Sequence, residues 1–189
     1  MPATVSDATK QVPQTTYGAT KAICELLVND YARKGFVDGR TARLPTVIVR
    51  PGAPNAAASG FASGVFREPL AGRDYTVPVG LDTRMPVIGH RAAVACLVAL
   101  HELPPDAFGE DRAVNLPSVS ATVGDMIECV RRVGSDRQLG RIDVQPDPAI
   151  EAICRTWPGF TDFDPALALG LPRDEGLDTI ARAYLEDFA

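Results

Sequence analysis

Apolar positions recur along the chain with two periods. Ile23, Leu26, Leu27 and Tyr31 keep the 3.6-residue period of a helix, which Thr15 or Thr16 can cap and Gly35 ends. At 100° per residue the apolar arc also takes in Cys24 and Val28. It spans roughly 200°, about twice the stripe required by a helix packed on one side. Two neighbours are therefore expected for this helix. Leu44 to Val49 is a short β-branched run between Arg43 and the turn Arg50-Pro51-Gly52, the pattern of a buried strand in a parallel sheet. Residues 1–14 carry neither period and are punctuated by Pro2 and Pro13, so they read as a loop.

Beyond a loop of small residues at 54–59, the pattern predicts a helix around Phe61 to Leu70 and strands around Tyr75 to Val79 and Arg84 to Ile88. A strong helix follows from Arg91 to Glu102 and stops at Pro104-Pro105. Arg112 to Leu116 reads as a strand, Thr122 to Arg132 as a helix with Thr122 as its cap, and Ile142 to Val144 as a strand. Helical patterns at 148–156, 165–169 and 177–188 close the chain, the first two opening on proline, whose missing N–H does no harm in a first turn. Alternating strands and helices indicate an α/β protein. Only 44–49 and 112–116 read as central strands, fewer than a doubly wound sheet needs.

Composition narrows the class. With 46% hydrophobic residues in 189, the chain can bury a core, and extensive disorder is not expected. A net charge of −5 leaves no basic face for nucleic acid or an anionic membrane. The longest apolar run, Ala92 to Leu100, is far short of the ~20 residues of a membrane span. The start lacks the charged head and apolar centre of a secretory signal, so a cytoplasmic location is expected. Cys24, Cys96, Cys129 and Cys154 are widely spaced and read as reduced, mostly buried thiols. His90 and His101, ~16 Å apart if helical, are too distant to share a metal.

Chemistry points first to Tyr17 and Lys21 in Tyr17-Gly18-Ala19-Thr20-Lys21. Four residues apart on a helix, they share one face. An ammonium beside a phenol favours the phenolate, which gives a base usable near neutral pH. Tyr-x-x-x-Lys alone is equally the mark of an ordinary helix with a snorkelling lysine. Its context is a proline-bearing loop ahead, a wide apolar arc, and a buried strand ending in Arg-Pro-Gly.

Three longer runs carry a resemblance. They are Tyr17 to Leu27, then Arg43-Leu44-Pro45-Thr46-Val47-Ile48-Val49-Arg50-Pro51-Gly52-Ala53-Pro54-Asn55, then Arg67 to Gly72. With Asn115-Leu116-Pro117, Trp157-Pro158 and Ala168-Leu169-Gly170, they resemble the extended short-chain dehydrogenase/reductases, also known as the NAD-dependent epimerase/dehydratase family, over nearly the whole chain. The resemblance implies the C-terminal portion of an α/β Rossmann fold with its small substrate domain. Residues 1–52 would end the Rossmann domain, and 53–189 would form the substrate-binding region, with one returning Rossmann strand near 112–116.

The implied activity is NAD-dependent oxidation of a secondary hydroxyl on a small, D-erythronate-like sugar acid, with NADP as the alternative cofactor. Tyr17 would be the base and Lys21 would hold the nicotinamide ribose. Pro51 and Gly52 would approach the nicotinamide through their backbone. Among Arg50, Arg67, Arg84, His90 and Arg91, the preferred anchor for the substrate carboxylate is Arg91, with Asn55 as a hydroxyl partner.

Two family features are absent from these residues. No Gly-x-x-Gly-x-x-Gly turn occurs, and Ser6, only eleven residues before Tyr17, is too close to be the family's catalytic serine. The expectation is therefore a truncated form that exposes the apolar faces of the Tyr17 helix and the Leu44 strand. A homodimer through the Tyr17 helix is expected for the longer protein. The competing readings are a nucleotide-sugar epimerase or dehydratase of the same family, and a non-catalytic fragment.

Overall fold

A computed structural model describes residues 2–52 and 57–189. In chain order the strands are β1 (Thr4–Val5), β2 (Thr41–Arg43), β3 (Thr46–Ile48), β4 (Tyr75–Val77), β5 (Arg84–Gly89), β6 (Ala113–Asn115), β7 (Val119–Thr122), β8 (Ile142–Val144) and β9 (Phe160–Thr161). The helices are α1 (Thr16–Arg33), α2 (Gly60–Leu70), α3 (His90–Glu102), α4 (Val123–Val133), α5 (Pro148–Cys154), α6 (Asp164–Ala168) and α7 (Leu177–Phe188).

The expected α/β alternation is observed, and its strands are shared among small sheets. β2 runs parallel to β6 with Arg43 opposite Asn115. β3 runs parallel to β5, whose other edge carries β7 antiparallel. β4 pairs with β8, and β1 with β9, both in parallel.

The predicted strand at 44–49 is observed as β3 at 46–48, and a strand that was not predicted, β2, precedes it at 41–43. Pairing with β6 stops at Arg43, the chain turns through Leu44 and Pro45, and β3 joins a different sheet. Proline has no N–H for a ladder, so Pro45 ends one sheet and lets the next begin. Residues 1–14 are not all loop, because Thr4 and Val5 pair with Phe160 and Thr161. So short a strand has no detectable period of its own.

Helix boundaries follow local chemistry closely. Thr122 caps α4 through a capping box: its hydroxyl accepts from Asp125 N at 3.0 Å, and the Asp125 carboxylate accepts from Thr122 N at 2.8 Å. α2 is buried on almost every side, with Phe61, Val65, Phe66 and Leu70 in the core. Gly64 permits this, since a Cβ there would lie 2.4 Å from the Tyr75 ring. α2, α4 and α7 enclose one apolar cluster with Met85, Val87, Met126 and Ile180. A second cluster joins α3 and α6 to β6 through Ala93, Cys96, Val114 and Leu116.

α1 exposes its apolar face, in line with the expectation for this helix. Its single buried residue is Glu25, while Ile23, Leu26, Leu27 and Tyr31 are exposed. The inward side of the helix, through Ala22, Glu25, Val28 and Asn29, meets the lead-in loop, β2 and the segment before β6, while Ile23, Leu26, Leu27 and Tyr31 face outward. Cys96, Cys129 and Cys154 are buried free thiols, whereas Cys24 on α1 is exposed. Burial pushes the Cys96 thiol up to about 11 and that of Cys129 up to about 12, so neither is a nucleophile near neutral pH. Among the described residues, no helix is long and apolar enough to cross a membrane.

Candidate active site

The start of α1 is built tightly. The Thr15 hydroxyl accepts from Gly18 N at 3.0 Å, closing the first turn. A Cβ on Gly18 would lie 3.0 Å from Pro13 Cβ and 3.3 Å from the Thr15 hydroxyl, so glycine lets the lead-in loop press against the helix. Tyr17 then projects from the first turn with 73% of its surface exposed. Lys21, one turn on, places Nζ 5.5 Å from the Tyr17 ring centroid, within cation–π range. Phenol and ammonium thus meet on one face, as the four-residue spacing requires.

One further turn along that face lies Glu25. Its carboxylate accepts from Arg43 Nε at 2.9 Å and Nη2 at 2.6 Å, a two-pronged pair, and from Gln11 Nε2. Arg43 Nη1 donates to the Asp7 carbonyl at 2.9 Å, and the Asp7 carboxylate accepts from Asn115 N at 2.7 Å. Burial raises the Asp7 carboxyl above its ordinary value, opposed by the Asn115 N–H and the Arg43 charge. Helix α1, its lead-in loop and the carboxyl ends of β2 and β6 are joined at this point.

Two cavities flank the junction. The first, about 730 Å³, lies between α1 and β2, with Lys21 at its edge and Ala22, Val28, Ala42, Leu44 and Leu97 along its walls. The second, about 570 Å³, has Arg43 and Asn115 on its floor and Ser6, Gln14, Arg155 and Thr156 among its lining. Ligands of open α/β sheets collect outside the carboxyl ends of parallel strands, the end where Arg43 and Asn115 stand.

The sequence-derived site residues do not all converge here. Pro51 and Gly52 are exposed beyond β3 and, like Tyr17, line neither cavity; the residue after β2, Leu44, lines the first. Asn55 lies outside the described residues. Arg91 proves to be a structural clasp: Nε and Nη2 hold Asp187 at 2.8 and 2.6 Å, and Nη1 holds Glu186 at 2.9 Å, fixing α3 to α7. Its guanidinium pairs with these carboxylates, and Arg91 lines neither cavity. His90 Nε2 contacts the same Asp187 at 2.8 Å. Arg67 is buried, bonded to Glu68 and to the Arg50 carbonyl. The residues missed by sequence reasoning are Glu25, Arg43 and Arg155. The Tyr-x-x-x-Lys-x-x-x-Glu spacing was a readable signal for the first of them.

Comparison with known proteins places this arrangement. No protein-family model matches the chain. A D-erythronate dehydrogenase from Cupriavidus necator is 48% identical over 99% of the chain, and one from Haemophilus influenzae is 40% identical over 98%. The chain spans 58% and 59% of the lengths of these two relatives. The crystal structure of a nucleoside-diphosphate-sugar epimerase from Agrobacterium tumefaciens superposes with a TM-score of 0.93 at 38% identity, covering all of this chain and 55% of that one. The fold is α/β, of the short-chain dehydrogenase/reductase type, and it matches a part of each of these longer chains. The 189 residues contain the Tyr/Lys helix and the two strand ends beside it, and their sequence holds no Gly-x-x-Gly-x-x-Gly run.

Proposed function

We propose that the protein is part of an NAD-dependent dehydrogenase that oxidises a secondary hydroxyl of a small sugar acid. The observation that carries this reading is the shared face of Tyr17 and Lys21, with Lys21 at the edge of a largely apolar cavity at the end of β2. The names of the two curated relatives support the substrate class.

The residues present suit the nicotinamide end of the cofactor. Ala22, Val28, Ala42 and Leu44 offer apolar walls for a flat ring, and the Lys21 ammonium can donate to ribose hydroxyls. When bound, the nicotinamide supplies the hydride acceptor. The Tyr17 phenolate oxygen takes the proton of the substrate hydroxyl as the carbon–hydrogen bond of the same carbon breaks, so that a ketone forms. With Arg91 held by α7, the substrate carboxylate is assigned to Arg155 in the second cavity, where Gln14 and Ser6 can meet hydroxyl groups.

The exposed stripe Ile23, Leu26, Leu27 and Tyr31 suits a second copy of the protein, giving a homodimer through α1. Nucleic acid and membrane are not partners in this reading.

The likeness to a nucleoside-diphosphate-sugar epimerase supports a second reading, with a nucleotide-sugar as substrate. A hybrid protein separates the two, with the part of the Cupriavidus necator relative that this chain does not match placed ahead of residue 1. The expected outcome is NAD reduction with D-erythronate and none with a nucleotide-sugar. Turnover of the nucleotide-sugar alone would transfer the site to the second reading.

A further inference from the structure

The single buried side chain of α1 belongs to an acid, in a helix that leaves its leucines outside. Burying a carboxylate is unfavourable unless its oxygens are fully engaged, and those of Glu25 are, by two Arg43 nitrogens and Gln11 Nε2. Little apolar packing holds α1 to the sheet; Asn29 ties its far half to Asp111 and Arg112 N at 2.9 and 3.2 Å, and the Glu25 bonds are the tether nearest Tyr17 and Lys21. Glu25 lies eight residues after Tyr17 and four after Lys21, on the same face. Arg43 is the last residue of β2 and stands opposite Asn115, the last of β6. Asp7 joins the lead-in loop to both strands, accepting from Asn115 N while its carbonyl receives Arg43.

We infer that Glu25 and Arg43 are positioning residues: their two-pronged pair fixes the height and rotation of the first half of α1 against β2, and so the placement of Tyr17 and Lys21 on it. The inference rests on the dehydrogenase reading for its catalytic consequence. Its geometric content, that the pair sets the seat of the first half of α1, belongs to the 189-residue chain alone.

Two measurements test it. In the chain itself, amide hydrogen exchange of Glu25→Gln should be at least tenfold faster through the first half of α1, with α4 and α7 as protected as before. Unchanged protection there would overturn the inference. In the hybrid enzyme, Glu25→Gln should lower kcat per folded molecule at least tenfold, with KM for NAD and for the acid within about twofold.

The double variant Glu25→Gln with Arg43→Gln removes the unpaired buried charge, so its thermal midpoint should recover toward the parent. Its kcat should stay low, because the two-pronged geometry is still missing. Recovery of kcat along with the midpoint would reduce the pair to a merely structural role and sink the inference. A parent hybrid without dehydrogenase turnover would remove the proposed function, and the exchange result would then decide the positioning claim by itself.

Discussion

At the scale of single residues, placement depends on what each polar group can bond. Arg91 shows this well. From the sequence it is a cation at a helix start near the predicted pocket; in the fold it meets Asp187 and Glu186, acids 96 and 95 positions away. That pairing has no signature in local sequence. Arg91, and then His90, hold the Asp187 carboxyl well below the ordinary 3.8 of an aspartate. A depressed carboxyl adds stability that is present above its unfolded value and lost as pH falls through its folded one. Thermal unfolding of the chain should therefore be insensitive to this contact from pH 7 to 5 and sensitive to it below about pH 4. Asp187→Asn should show a shallower acid decline than the parent, and the difference should be small, since exposed pairs are screened. Identical declines would mean that the clasp does not bear on stability.

Elements were legible where their signals are local. The Thr15 and Thr122 caps, the prolines opening α5 and α6, and the periodicity of α1, α3 and α7 all correspond to observed boundaries. Strands fared worse. β1 and β9 are two residues each and exist only because they pair across more than 150 positions. Pro45 could have been read as a break between sheets, since it cannot donate to a ladder, but the β-branched run masked it.

The wide arc of α1 led to the expectation of a second neighbour, and in this chain its outer part is exposed. It did not signal that the inward side would hold a glutamate. Its outward stripe, with Leu26 65% exposed, leads to a prediction at this scale. The hybrid protein should sediment as a dimer, and Leu26→Glu with Leu27→Glu should yield a monomer of unchanged helix content. A parent monomer, or a dimer that survives both charges, would contradict packing through α1.

For the molecule as a whole, the resemblance seen in the sequence and the similarity to solved structures agree on the fold, while the site is divided. Tyr17 and Lys21 share a face of α1, Glu25 on the same helix holds Arg43, and two cavities lie beside the ends of β2 and β6, with Lys21 but not Tyr17 in the lining of the first. What the sequence could not provide was distance: that Leu44, the residue after β2, shares a cavity lining with Lys21 follows only from the fold. The central claim is that Tyr17 is the base of a hydride-transfer site, and Tyr17→Phe in the hybrid enzyme tests it most directly. The account predicts a fall in kcat of about a hundredfold or more with D-erythronate, while NAD affinity and the thermal midpoint stay near those of the parent. A variant that reduces NAD at close to the parental rate would contradict it.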